Sequence, residues 1–273
     1  MEKTEDIFNQ IYSAAEIIKK SKYLIAFTGA GISVESGIPT FRGKGGIYEK
    51  VSSTIFDLNF FYSQNKRAWY LLLKFIFLPL LRSEPNDAHK VLAKFESDGF
   101  IKATITQNID TLHEKAGTVN LYKFHGTSDK FSCINCAEKY RLDDLFTLKQ
   151  IDEIKKDKVE NDIDPFIFES FNAPKCKNCG SIIKPQLVFF KEGIPEDILN
   201  QSFYHAQNSD CILIIGTSGV VYPAAVIPQI VHRNKGKIIE INPEPTEYTY
   251  SITDIFIQGS ASWVLKEIVK KVY

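Results

Sequence analysis

The chain has 273 residues, with 33 Lys plus Arg balanced by 33 Asp plus Glu, so its formal net charge is zero. That length supports one large or two modest domains with ample core. The balance excludes a polybasic field for bulk nucleic-acid binding, so no direct nucleic-acid partner is expected. Met1 to Asp6 is acidic and lacks the apolar run of a secretory leader, which argues against secretion and for a cytoplasmic or nuclear location.

In chain order, Ile7, Ile11, Ala14, Ala15 and Ile18 recur at helical spacing and predict an amphipathic helix over 5–20. Tyr23 to Phe27 is a short apolar run that reads as a buried parallel strand. It leads into Thr28-Gly29-Ala30-Gly31, where the backbone can turn sharply and approach a ligand without Cβ interference. Amides after such a turn suit a pyrophosphate. The usual dinucleotide fingerprint would place a third glycine at 34, but Val34 stands there and the next glycine is Gly37. On the loop alone, a plain glycine turn after a core strand stays open. Pro39 stiffens the chain beyond the loop, and Phe41-Arg42 adds a ring and a fixed cation.

Residues 50–82 carry aromatics and leucines in a helical rhythm. Trp69 to Leu81 is the most apolar stretch, too short for a membrane span and broken by Lys74 and Pro79. No membrane partner is expected. Pro85-Asn86-Asp87-Ala88-His89 reads as a helix start, with His89 structural. Ile101 to Thr106 reads as a second strand, ending in Gln107-Asn108-Ile109-Asp110. Amide and acid side chains at a strand's carboxyl end stand where open α/β sheets bind ligands. Leu121 to Gly126 contains His125. Later strands run 211–215 into Gly216-Thr217-Ser218, 237–241 into Asn242, and 255–257 into Gly259, before a last helix at 263–272. The expected fold is α/β: a doubly wound Rossmann-like parallel sheet with a smaller inserted zinc-ribbon and helical domain. Residues 1–43, 85–125 and 185–273 are expected to form the Rossmann-like dinucleotide-binding part, 44–84 a helical insertion, and 126–184 a zinc-binding insertion.

Cys133/Cys136 and Cys176/Cys179 are two C-x-x-C pairs, with Cys211 left over on an apolar strand. Two such turns offer four thiolates to one tetrahedral zinc, a closed and therefore structural site. A redox or iron–sulfur pair, or a ribbon touching nucleic acid, are the alternatives. Between the pairs, Asp152 to Asp164 reads as a solvated helix or excursion. Asn108, Asp110 and His125 form a second constellation, with His125 as general base on a hydroxyl. His113 competes for that role, but Leu112-His113-Glu114 reads as helix, where it would cap or pack.

Together these residues resemble the sirtuins, NAD-dependent protein-lysine deacylases, over roughly Ile17 to Val269. The likeness rests on G-A-G-I-S-x-x-S-G-I-P-x-F-R at 29–42, P-N-x-x-H at 85–89, T-Q-N-I-D-x-L-H at 106–113 and F-H-G at 124–126. The cysteine pairs, G-T-S at 216–218 and I-N-x-E at 241–244 add to it. T-F-R-G-x-G-G after the loop resembles the class III subgroup that includes desuccinylases.

The resemblance implies that Gly29, Ala30, Gly31, Ser33, Pro39, Phe41 and Arg42 hold and cover NAD. It implies Gln107 and Asn108 at the nicotinamide ribose and Ile109 and Asp110 at the carboxamide. Gly216, Thr217 and Ser218 would line the phosphates, Asn242 and Glu244 the adenosine ribose, and the Ala261 backbone the adenine. His125, Asn108 and Asp110 would be catalytic, and the products deacylated lysine, nicotinamide and O-acyl-ADP-ribose. Acyl-lysine proteins, histones among them, would be the substrates, each peptide added as a strand between 186–190 (Val188, Phe189, Phe190) and 219–221 (Val220, Val221).

Two departures stand out. Lys191 occupies the place where the family usually has glycine in F-G-E. The desuccinylase subgroup carries a Tyr-x-x-Arg pair after a tryptophan, and counting from Trp69 gives Leu72 and Phe75. An apolar pair cannot neutralise a buried carboxylate. Weak desuccinylation and a wide apolar acyl tunnel at Leu72 and Phe75 are therefore expected, with a plain helix core as the alternative. Mono-ADP-ribosyl transfer from the same NAD site, or an inactive chromatin-binding scaffold, are the competing functions.

Overall fold

The apolar runs become strands in a computed structural model that describes residues 2–156 and 171–273. In chain order these are β1 (Leu24–Thr28), β2 (Ile101–Thr106), β3 (Leu121–Lys123), β4 (Gly126–Cys133), β5 (Lys139–Tyr140), β6 (Ile183–Leu187), β7 (Cys211–Ile215), β8 (Lys237–Asn242) and β9 (Ile255–Gln258). One sheet has the order β3-β2-β1-β7-β8-β9, and each pairing in it is parallel. All five residues of β1 and of β7 are buried, as a strand covered by helices on both faces requires. The order reverses direction between β1 and β7, which is the Rossmann switch point, so a ligand crevice belongs at their carboxyl ends.

Helices cover both faces. Glu2–Lys20, Asp87–Ser97 and Ala261–Val272 close one core around Leu24, Ala26, Leu213 and Ile239. Glu196–Asn208 and Val226–Arg233 close the other around Phe27, Ile105 and Ile214. The predicted first helix begins earlier than residue 5, and the last begins at Ala261.

The smaller lobe is a three-stranded antiparallel sheet, β5-β4-β6, packed against helices from residues 58–80 in one continuous apolar core. The two segments that interrupt the large sheet thus share a core that neither could build alone. Trp69 is its centre: fully buried, with ring centroids 5.6 Å from Phe131 and 5.7 Å from Phe146. The helical run changes to a π turn at Leu73–Phe77, which shifts the helix face beyond it. Of the charged segment expected between the cysteine pairs, Leu148–Lys156 is a helix that buries Ile151 and Ile154, while 157–164 lies outside the described residues.

Candidate active site

The site forms where β1 and β7 end. Gly29 N donates to Ile215 O at 3.0 Å and Gly31 N to Gly216 O at 2.8 Å. The two backbones interlock: a Cβ on Gly31 would lie 2.6 Å from the Gly216 Cα, and one on Gly29 2.7 Å from the Gly216 oxygen. Glycine is required there by contact, not only by turn geometry. The chain then winds as a 3₁₀ helix, Ala30–Ser36, closed by Gly37 at φ 83°.

A cleft of about 680 Å³, open to solvent, runs along these strand ends. Gly29, Ala30, Gly31, Gly216, Thr217 and Ser218 line its floor. Asn242, Glu244 and Ala261 line one end, and Phe41 and Arg42 one wall, with the guanidinium 5.6 Å over the Tyr48 ring. Gln107, Asn108, Ile109 and His125 line the other end. Gln107 Nε2 donates to Thr217 Oγ1 at 2.8 Å, and Asn242 Nδ2 to Thr217 O at 3.2 Å. Thr217 therefore ties the β2, β7 and β8 ends into one surface. Val188, Phe189, Phe190 and Val221 also face the cleft, whereas Val220 is exposed and does not line it.

His125 Nδ1 lies 3.0 Å from the Gln107 carbonyl. A carbonyl only accepts, so Nδ1 carries the proton and Nε2 keeps its lone pair. Burial holds the imidazole below its ordinary pKa, partly opposed by that carbonyl. His125 is thus a neutral base at pH 7.

Beneath this end lies a buried polar network. Ser33 Oγ donates to Asp110 Oδ2 at 2.8 Å and accepts from Asn108 Nδ2 at 3.1 Å. Asp110 Oδ1 accepts from Leu112 N at 3.0 Å. His89, which the sequence reads as structural, places Nε2 3.4 Å from Ser33 Oγ and Nδ1 3.1 Å from Asn86 Oδ1. His113 is buried beside it, with ring centroids 4.9 Å apart, and its Nε2 meets Thr28 Oγ1 at 3.0 Å. Sequence spacing holds no sign of this pair, because β1, β2 and two helices must fold before the rings meet.

Next to Asn108, Ile109 and Asp110 is a small apolar pocket of about 20 Å³, walled by Ala30, Pro39, Phe41, Phe75, Ile76 and Leu80 among others. Phe75 therefore faces a pocket. Leu72 does not: it is fully buried in the small-lobe core and lines neither space. Phe75 lies within the π turn that begins just after Leu72, so counting at α-helical spacing does not keep them on one face.

Lys191 has a left-handed φ of 71°, a region where glycine carries no Cβ penalty. Its Nζ pairs with Asp57 Oδ2 at 2.7 Å, and Phe190 N donates to Phe56 O at 2.6 Å. The helical segment is thereby stitched to the edge expected to hold a peptide.

The four cysteines meet across the hairpins of the small sheet. Their sulfurs all lie within 4.8 Å of one another, with Cys133–Cys179 at 3.4 Å and Cys136–Cys176 at 3.5 Å. Four thiolates at tetrahedral zinc distances sit roughly 3.8 Å apart, and a disulfide would need about 2.05 Å. The set fits zinc and not disulfides. Tyr140 Oη approaches Cys176 Sγ at 3.2 Å and would steady that ligand. Cys211 is buried in β7, apart from the cluster.

The Sir2 family profile matches residues 29–223. The chain is 38% identical over 259 residues to the NAD-dependent protein deacylase of Thermococcus kodakarensis, covering 95% of this chain and 94% of that one. It is 39% identical over 233 residues to the NAD-dependent protein deacetylase of Thermotoga maritima, covering 85% and 87%. A Sir2 structure with a p53 peptide and NAD+ superposes with a TM-score of 0.81 at 34% identity, covering 95% of this chain and 97% of that one.

Proposed function

The chain belongs to the Sir2 family, and from that premise we propose that it removes long apolar acyl groups from protein lysines in preference to succinyl. It is an NAD-dependent protein deacylase, with NAD and zinc as its cofactors. The observation that carries the acyl preference is the small pocket walled by Phe75, Ile76 and Leu80, whose Asn108 to Asp110 side is left to nicotinamide. Its described lining is apolar apart from Asn108 and Asp110. A succinyl carboxylate against Phe75, Ile76 and Leu80 would meet no cation among the described lining residues, whereas each buried methylene contributes about 0.8 kcal/mol. Phe75, Ile76 and Leu80 take the tunnel role assigned from sequence to Leu72 and Phe75.

NAD supplies the electrophilic ribose carbon, the nicotinamide leaving group and the ADP-ribose that accepts the acyl group. The chain's residues do the rest. The interlocked glycines hold the phosphates against the 29–31 and 216–218 backbones. Asn108 and Asp110, fixed by Ser33, orient the nicotinamide end and keep water out of it. His125, with its tautomer set by the Gln107 carbonyl, takes the proton of a ribose hydroxyl at Nε2. The peptide lies against Val188 to Phe190 on one side and Val221 on the other.

The test compares kcat/KM for acetyl, succinyl and myristoyl forms of one peptide, with nicotinamide release as readout. Myristoyl should exceed acetyl and succinyl should be slowest. Acetyl turnover equal to or faster than myristoyl removes the preference. His125→Ala should abolish acyl-dependent release. NAD consumption that labels the protein substrate without any acyl group would instead favour mono-ADP-ribosyl transfer.

A further inference from the structure

Lys123 ends β3, two residues before His125, and its ammonium is turned inward with only 14% of the side chain exposed. A lysine so withdrawn from water needs acceptors for its protons. It has three: Asp110 O at 2.7 Å, Glu114 Oε1 at 2.8 Å and Thr127 Oγ1 at 2.9 Å. Those groups belong to three parts of the site. Asp110 ends the loop after β2, Glu114 lies on the short helix after that loop, and Thr127 opens β4 just past His125.

We propose that Lys123 is a positioning residue that locks the Asp110 loop to the β3–β4 turn carrying His125, and so sets the geometry of the nicotinamide end. A second tie supports it: Ser128 N donates to Ile109 O at 2.9 Å, on the same seam. The ammonium is the only described side chain bonded to the Asp110 carbonyl among these contacts. Asp110 is otherwise held through its carboxylate, by Ser33 and by Leu112 N. Lys123 thus fixes the peptide plane of Asp110, while Ser33 fixes its side chain. Neither tie reaches the adenosine end at Asn242 and Glu244. This inference rests on the deacylase reading, because it assumes that nicotinamide occupies the Asp110 end.

The separation of the two ends gives the test. Lys123→Met keeps the length and apolar stem but removes the charge and all three bonds. Its nicotinamide inhibition should weaken and its kcat fall by about tenfold or more, while ADP-ribose, which lacks nicotinamide, binds within about twofold of wild type. A role in folding alone would not divide the two ligands. Unchanged nicotinamide inhibition, or an equal loss of ADP-ribose affinity, overturns the inference. Should Lys123→Met not fold, Thr127→Val removes one acceptor alone, and the same split is expected at about threefold. If the wild-type enzyme is not inhibited by nicotinamide, the deacylase reading falls and the inference with it.

Discussion

The Trp69 indole Nε1 donates to the main-chain carbonyl of Ile183 at 3.1 Å, across 114 residues of sequence. One bond joins the helical segment to the zinc-bearing sheet inside their shared core. Trp69→Phe should keep most of the packing but leave that carbonyl buried without its donor, at a cost of about 1–3 kcal/mol. Trp69→Ala should cost about 3–5 kcal/mol, since a large cavity opens beside Phe131 and Phe146. Denaturant midpoints read both, and a Trp69→Phe protein as stable as wild type would show that the bond adds nothing.

Removing zinc should loosen more than the ribbon. Cys133 lies at the end of β4 and Cys176 inside the common core, so losing the metal withdraws one wall from Trp69 and Phe77. Chelation is therefore expected to raise amide hydrogen exchange in residues 58–80 as well as in β4 to β6. The Rossmann strands, with separate cores, should keep their protection. Exchange confined to the cysteine hairpins would contradict the shared-core account.

Much of this was legible in the sequence, and for physical reasons. β1, β7 and β8 are apolar runs that end in glycine or small polar residues, and such strands have few other folds open to them. The cysteine pairs announce themselves by spacing. What the chain concealed was lateral. Nothing in residues 44–84 says that they pack on β4 to β6, and the π turn that begins after Leu72 and holds Phe75 has no signature in Leu-Leu-Lys-Phe-Ile-Phe. His89 and Lys123 look ordinary by position, and they matter through partners that only the tertiary fold supplies. Lys191 could be marked as a departure from sequence, but its partner Asp57 could not.

The buried histidines make stability depend on pH. Burial lowers His89 from its ordinary 6.5 to about 4 and holds His113 well below the usual value, helped there by the nearby His89 and Lys123 charges. The unfolded chain takes up protons below about 6.5 that the folded protein refuses, so stability is full above that pH and falls as pH drops towards the folded values. For His89 alone the loss approaches about 3 kcal/mol by the time pH passes below its folded value. Melting temperatures between pH 7.5 and 4.5 should decline, and His89→Gln should flatten the slope. An unchanged slope in that variant would rule out His89 as a source.

Catalysis should follow a different group. The neutral His125 is the active form, and burial lowers its pKa from the ordinary histidine value. Rate should therefore be level from neutral pH upwards and fall in acid, with a midpoint below 6.5 in kcat/KM. A midpoint above 6.5 would mean that a charged neighbour or bound substrate, not burial, governs the base.

Gly216 offers the sharpest test of the phosphate loop. Its φ is 62°, and an added Cβ would stand 2.4 Å from Ile32 N and 2.6 Å from the Gly31 carbonyl carbon. Both obstacles are backbone, so no rotamer change can relieve them, and left-handed φ adds its own penalty for alanine. To make room, the 29–32 turn must move away from β7, which breaks the Gly31 N to Gly216 O bond and widens the floor on which phosphates would rest. Gly216→Ala should thus lose NAD and ADP-ribose affinity together, by about tenfold or more, and lower stability as well. That parallel loss separates it from Lys123→Met, which should spare ADP-ribose. Titration calorimetry with ADP-ribose on both variants would tell the two ends of the cleft apart, and an alanine at 216 that binds ADP-ribose normally would show that the interlocked backbones do not shape the phosphate site.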